Sequence, residues 1–349
     1  MLRTGPASAR RGRTFSGIRP TGRSHIGNYL GAIQNYVALQ ESYDCIYCVV
    51  DFHALTTLED TRTLPENLHE MVLDLLAAGI DPERSILFAQ SHVPEVAQLH
   101  LLLSMVTPLG WLMRVPTFKD KVRELVKAPA GVSDDALALG DEHVNYGLLG
   151  YPVLMTADII LYKANTVPVG QDQLPHLELA REIVRRFNAL FGPTFPEPQA
   201  KLTEAPMVLG LDGKAKMSKS LNNDIRMAAT PEETRRRVLT AVTDPQRVRR
   251  TDPGRPEVCN VFSLHKLLTP QRLAEIDRRC RAADIGCVDC KGILADSING
   301  ALRPFRERRA ELAARPDYVE NVLAEGARRA QAIARETIRE VRGKMGLQA

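Results

Sequence analysis

Phe15-Ser16-Gly17-Ile18-Arg19-Pro20-Thr21-Gly22, followed by His25-Ile26-Gly27-Asn28, decides how this chain begins to fold. A short apolar strand runs into a glycine-bearing turn, and a helix starts where the His/Asn pair stands. Free backbone N–H groups and the positive end of a helix dipole would then face one point, and glycine lets an anion approach the backbone there. A short His-Ile-Gly-Asn string alone reads equally well as an ordinary helix start.

Working outward, strand-like and helix-like segments alternate through the first 110 residues, the pattern of a parallel sheet wrapped by crossover helices. Strands are expected at Thr14–Ile18, Cys45–Val50, Ser85–Ala89 and Thr166–Val169. Helices are expected from about Gly27 to Gln40, from Pro65 to Gly79 and from Leu174 to Asn188. The polar stretch between Trp111 and Tyr151 reads as an insertion (about 112–147) with a mobile loop. After about Met227 only Arg-rich amphipathic helices follow, closing with Ala327 to Met345. The reading is α/β: a Rossmann-like parallel-sheet domain over 14–226, an all-helical domain over 227–349 and a disordered tail at 1–13.

Composition sets the class. The 349 residues are 44% hydrophobic and 25% charged, and no apolar run approaches the ~20 residues of a membrane helix. A soluble, cytoplasmic protein without a membrane partner is expected. Arg3, Arg10, Arg11 and Arg13 with no acid exclude a secretory signal, a transit peptide being the lesser alternative to a tail. Six cysteines without such a signal point to reduced thiols or a metal site. A net charge of +4 is too small to argue for nucleic acid by itself.

The second chemical motif is Lys216-Met217-Ser218-Lys219-Ser220, in a loop after Leu211-Asp212-Gly213. Two ammonium groups three residues apart, with hydroxyls beside them, can follow a triphosphate whose charge shifts during reaction. A solvated basic loop is the plain alternative, but a match of all five residues in this order after the His25 element is a poor coincidence.

With both motifs in hand, the chain resembles class I aminoacyl-tRNA synthetases, whose signatures are a His-Ile-Gly-His-like motif and Lys-Met-Ser-Lys-Ser. Within that class it is similar to bacterial tryptophanyl-tRNA synthetases from Phe15 to about Leu347, where the first signature commonly ends in Gly-Asn as at Gly27-Asn28. The resemblance implies an enzyme that adenylates L-tryptophan with ATP and Mg²⁺ and transfers it to the 3′ end of tRNA(Trp). It implies ATP binding by Arg19, Pro20, Thr21, Gly27, Asn28, Gly170, Gln171, Asp172, Val208, Lys216, Met217, Ser218, Lys219 and Ser220. His25, Asn28, Lys121, Lys216 and Lys219 are the implied catalytic residues. Arg19 and Gln171 depart from the glutamine and glutamate that many relatives carry there.

Tryptophan requires a further feature. Indole has a donor and no acceptor, so a pocket selecting it needs a buried acceptor against that N–H, and Asp158 is the candidate. By resemblance, Tyr151, Met155 and Gln173 hold the amino end or line the pocket, and Phe15, Gly17, Ile159, Val167 and Val169 pack around the ring. Tyrosyl synthetases, the close competitor, are expected to carry a glutamine and aspartate pair on that helix, where this chain has Met155 three residues before Asp158. A nucleotide-binding paralogue without catalysis and a different nucleotidyltransferase are the other readings. Intact Lys216 to Ser220 speaks against the first, and the cysteine-bearing helical domain against the second.

Cys259, Cys280, Cys287 and Cys290 form C-x20-C-x6-C-x2-C, a set able to coordinate zinc or a [4Fe–4S] cluster. Some tryptophanyl synthetases, including one from Thermotoga, carry a [4Fe–4S] cluster on a similar pattern with a slightly longer first gap. The resemblance therefore implies the cluster, with zinc as the alternative. Cys45 and Cys48 lie in an apolar strand, where positions three apart face opposite sides, and read as packing residues. His53 reads as a structural histidine or a support for the nucleotide pocket. The arginines of the helical domain, among them Arg235–Arg237, Arg247, Arg306 and Arg309, suit anticodon contacts, and the resemblance implies a homodimer.

Overall fold

The computed structural model describes residues 12–57, 60–126, 144–202, 207–315 and 317–348, with the side chains of 117, 124–126 and 172 excepted. Five parallel strands form one sheet in the order β3-β2-β1-β4-β5: β1 (Arg13–Ile18), β2 (Asp44–Val49), β3 (Ile86–Ala89), β4 (Thr166–Val169) and β5 (Gln199–Leu202). Chain direction across the sheet reverses at β1, so the crevice for a ligand opens beyond the carboxyl ends of β1 and β4. The expected strands are present. β5 was not foreseen: Gln-Ala-Lys-Leu has no apolar run, because an edge strand with partly exposed faces needs none.

The strand start corrects the expected tail. Arg13 belongs to β1, its guanidinium donating to Asp44 at 2.9 Å and to the Tyr162 carbonyl at 2.8 Å, whereas 1–11 lie outside the described residues. The first helix also differs. It is α1 (Ile26–Asn28) and α2 (Gln34–Leu39) joined by a π turn, Tyr29–Ile33, which widens the backbone where Gly31 and Ala32 meet the cleft. Of the expected insertion, Pro116–Val126 is helical and 127–143 lie outside the described residues.

The remaining helices are α3 (Asp51–Leu55), α4 (Leu64–Ala78), α5 (Glu95–Ser104), α6 (Leu109–Met113), α7 (Pro116–Val126), α8 (Tyr146–Leu161) and α9 (Leu174–Phe191). After β5 come α10 (Pro231–Leu239), α11 (Asn260–Leu268), α12 (Leu273–Arg281), α13 (Cys287–Ala313) and α14 (Tyr318–Lys344).

Two apolar cores flank the sheet, and Cys45 and Cys48 fall into different ones, as alternation requires. Helices from the C-terminal part enter both: α14 joins α5, α8 and α9 on one face, and α10, α11 and α13 join α4 on the other. The seat of α14 on β3 is so close that a β-carbon at Gly326 would stand 1.9 Å from the Leu87 carbonyl oxygen, which only glycine permits. The helical part thus packs directly against β3, an edge strand of the sheet.

Candidate active site

A cleft of about 490 Å³ opens at the carboxyl ends of β1 and β4. Phe15 and Gly17 come from β1, Tyr151, Met155, Asp158 and Ile159 from α8, Val167 and Val169 from β4, and Gln173 from the 3₁₀ turn that follows. All nine residues expected around tryptophan therefore line one cleft, together with Arg19, Gly170 and Lys121 from the nucleotide set. The volume and mostly apolar lining are those of a small-molecule site. Phe15 is held by stacking on Tyr162, with ring centroids 5.7 Å apart.

Asp158 is 2% exposed, so its carboxylate requires partners. His53 Nε2 lies 2.9 Å from Oδ2, and Gln90 Nε2 donates to Oδ1 at 2.8 Å and to Oδ2 at 2.9 Å. His53, expected as a structural residue or nucleotide support, thus turns its ring to Asp158. Gln90 was missed; its signal is a polar residue directly after the buried strand Ile86–Ala89. Tyr151 Oη sits 3.2 Å from His176 Nε2 at the other side of the cleft.

The His25 element meets the segment just after the lysine loop, residues 225–227, in a short antiparallel pairing. His25 bridges Arg226, Ile26 N–H donates to the Ile225 carbonyl, and Met227 N–H donates to the Ser24 carbonyl. His25 and Asn28 form a capping box: His25 Nδ1 accepts the Asn28 N–H and Asn28 Oδ1 accepts the His25 N–H. Burial pushes the His25 imidazole down to about 4, with Lys219 and Lys216 adding to the effect against Asp224. It is therefore neutral at pH 7, and with Nδ1 accepting, Nε2 carries the hydrogen as a donor.

Lys219 Nζ donates to the carbonyls of Thr21 and Arg23, the latter at 3.0 Å, and to Thr21 Oγ1 at 3.3 Å. Burial lowers its ammonium below the usual lysine range. Lys216 is exposed, and Ser218 and Ser220 hydroxyls lie 2.8 Å apart. The loop is pinned by Asn223, whose Oδ1 accepts the Ser218 N–H at 2.7 Å while its Nδ2 donates to Asp212. Val208 is buried, its carbonyl taken by Met217 N–H, and so it braces the loop through its backbone. Pro20, Thr21, Gly27, Asn28, Gln171 and Lys216–Ser220 do not line the cleft itself, and the Asp172 side chain lies outside the described residues.

The four cysteines gather in the helical part. Cys290 is pushed up to about 12, by burial first, with Cys259, Cys280 and Cys287 adding to the effect. Among the described residues, however, no three His, Cys, Asp or Glu side chains are arranged around a metal position. Two of the sulfurs have nitrogen neighbours: Cys280 Sγ accepts from Arg247 Nη1 at 3.7 Å, and Cys290 Sγ lies 3.4 Å from His265 Nε2. Several arginines expected to face RNA are also engaged internally, Arg306 with the Met227 carbonyl and Arg309 with Asp74 and Glu70.

The family model for class I tRNA synthetases (W and Y) matches residues 7–303. The chain belongs to that family. A tryptophan–tRNA ligase of Deinococcus radiodurans is 46% identical, covering 96% of this chain and 98% of its own, and one of Aquifex aeolicus is 42% identical, covering 96% and 100%. Among solved structures, Campylobacter jejuni tryptophanyl-tRNA synthetase, in complex with ADP and tryptophan, superimposes with a TM-score of 0.84 at 35% identity, covering 96% of this chain and all of that one. Membership of this class I family accounts for the Rossmann-like sheet and for the helical C-terminal part. Among the described residues no helix is long and apolar enough to cross a membrane.

Proposed function

We propose how the cleft carries out tryptophan–tRNA ligation, which is the activity of this chain. The indole ring enters among Phe15, Gly17, Met155, Ile159, Val167 and Val169, and its N–H is taken by Asp158. Tyr151 and Gln173 hold the amino end. The single observation that carries this reading is a carboxylate, 2% exposed, presented on the wall of an otherwise largely apolar cleft. A ligand that brings a donor and no acceptor satisfies it.

ATP lies between the His25 element and the lysine loop, against Arg19–Thr21, Gly27, Asn28, Gly170, Gln171, Asp172, Val208 and Lys216–Ser220. Mg²⁺ enters as part of the MgATP substrate, since this cation is commonly held by the phosphates themselves. Neutral His25 offers its Nε2–H to the nucleotide without adding charge. The tryptophan carboxylate attacks the α-phosphorus, and pyrophosphate leaves as Lys216, Lys219 and Lys121 neutralise it. For this, Lys219 exchanges the Thr21 and Arg23 carbonyls for phosphate oxygens. A ribose hydroxyl at the tRNA 3′ end then attacks the adenylate carbonyl, releasing AMP. No covalent protein intermediate is needed; positioning and electrostatics do the work.

The helical part, 227–349, reads the tRNA anticodon through its remaining arginines, so tRNA affinity falls with added salt. Leu101, Met105 and Leu109, all more than half exposed within nine residues, supply an apolar face for a homodimer. The gathered thiols of Cys259, Cys280, Cys287 and Cys290 suit a [4Fe–4S] cluster, with zinc as the alternative. When bound, the cluster would fasten α11, α12 and α13 together, each of the helices starting at or carrying one of these cysteines. The cytoplasm, with its reduced thiols, is the compartment in which this set is expected.

The test is amino-acid-dependent ATP–pyrophosphate exchange. Exchange with tryptophan and none with tyrosine is the expected outcome. Exchange with tyrosine instead would overturn the pocket reading.

A further inference from the structure

The Asp158 side chain is held by residues from two other segments. Gln90, fully buried at the end of β3, spans both carboxylate oxygens with its amide nitrogen. The same amide's oxygen accepts the Phe52 N–H at 3.0 Å. That second bond decides which way round the amide sits. Turned over, it would set its oxygen against a carboxylate and its NH₂ against an N–H.

The two supporting segments are themselves locked. Asp51 Oδ1 accepts the N–H of Phe52 at 3.0 Å and of Ser91 at 2.9 Å, and Ser91 Oγ donates to Asp51 Oδ2 at 2.5 Å. Residues 51–53 and 90–91 therefore behave as one rigid bracket behind Asp158. Gln90 does not line the cleft, so it reaches a ligand only through the carboxylate it holds.

A carboxylate has about four lone-pair positions. Gln90 and His53 occupy both on Oδ2 and one on Oδ1. We infer that Gln90 is a specificity-determining positioning residue: by spanning both oxygens of Asp158 it leaves one acceptor position, on Oδ1, for a ring N–H in the cleft. A phenol oxygen, which also seeks a donor, finds the His53 Nε2–H and the one Gln90 N–H that faces Asp158 already spent on the acid. A polar pocket of this kind discriminates through the groups it would leave unpaired. The inference rests on the reading of Asp158 as the indole acceptor.

The experiment compares pyrophosphate exchange with tryptophan and with 3-benzothienylalanine, whose sulfur replaces the ring N–H at nearly constant shape. In Gln90→Met the preference for tryptophan over the analogue should fall about ten-fold or more, through KM for tryptophan, while kcat with the analogue changes less than about two-fold. Equal losses on both amino acids would mean a merely structural role and overturn the inference. Gln90→Glu is the second variant, keeping size and the acceptor for Phe52 N–H while setting a second acid against Asp158. It too should lose the preference, and retention of the wild-type ratio in either variant overturns the inference. Asp158→Ala separates the two levels: if it keeps the wild-type ratio, the acceptor reading itself fails. If it alone abolishes the ratio, only the role of Gln90 fails.

Discussion

Arg309 and Asp74 form a buried ion pair, with Nε donating to Oδ1 at 2.7 Å between α13 and α4. The other oxygen of Asp74 accepts the Ser24 N–H at 2.5 Å, one residue before His25. The helical part thereby fixes the acid that fixes the nucleotide turn. Removing the arginine leaves a fully buried carboxylate without its charge partner, a change that commonly costs about 3–5 kcal/mol. Arg309→Met should lose stability on that order in urea denaturation at pH 8. Burial already raises Asp74 above the usual aspartate range, and losing Arg309 raises it further. The folded variant then holds a proton that the unfolded chain binds only near about pH 4, so the loss should shrink as pH falls through the raised folded value. A loss that is constant between pH 8 and 5 would count against this assignment.

Gly27 is where the two nucleotide motifs touch. A β-carbon there would stand 3.2 Å from Met217 Cβ and 2.9 Å from His25 Nδ1. Neither neighbour is the free end of a flexible chain, so Gly27→Ala should separate the helix start from the lysine loop. Overpacking of this kind commonly costs about 1–3 kcal/mol. Exchange activity at limiting ATP should fall about ten-fold or more, with tryptophan binding, measured by calorimetry, unchanged.

The proton inventory of His25 gives a third expectation. Its folded value of about 4 lies below that of an unfolded histidine, near 6.5. Between those values the unfolded chain binds a proton that the folded chain refuses, so stability falls as pH drops through that window and is flat above it. His25→Asn retains a capping acceptor. Its denaturation midpoint should therefore fall less steeply from pH 6.5 to 4 than that of the parent. Parallel curves would show that His25 is not buried neutral.

Lys219→Ala should slow adenylation about a hundred-fold or more, because one charge facing the leaving pyrophosphate is lost. Tryptophan affinity should change little, since Lys219 bonds the turn at Thr21 and Arg23 and does not line the cleft. Single-turnover adenylate formation separates the two quantities, and comparable losses in both would remove Lys219 from its assigned role.

How much of this was legible in the sequence depends on distance along the chain. β2 and β3 announce themselves because buried parallel strands are near-continuously apolar, and Lys216 to Ser220 because five fixed residues carry chemistry. β5 escapes because a partly exposed edge strand needs no such run. The π turn escapes because an added residue within one helical turn leaves no periodic mark. Gln90 and His53 escape because their role exists only when β3, α3 and α8 converge on Asp158, 68 and 105 residues away. Arg309 reads as one more RNA-facing arginine until Asp74 is found behind it.

The cysteine set yields the last expectation. Cys259 precedes α11, Cys280 ends α12, and Cys287 and Cys290 open α13, so a single centre would tie three helices at their ends. Four ligands with sulfur donors suit an iron–sulfur cluster or zinc, and the two differ in every elemental measure. Anaerobically prepared protein should be brown and contain about four iron and four acid-labile sulfide per chain. Cys290→Ser should lose the colour and the iron together. Because α13 packs on α4, its thermal midpoint should fall as well, while exchange with tryptophan persists, the cleft being built from β1, β4 and α8. One zinc per chain, colourless and released by a chelator, would assign the site to the alternative metal; iron and zinc both absent from protein prepared without oxygen would reduce the four thiols to packing.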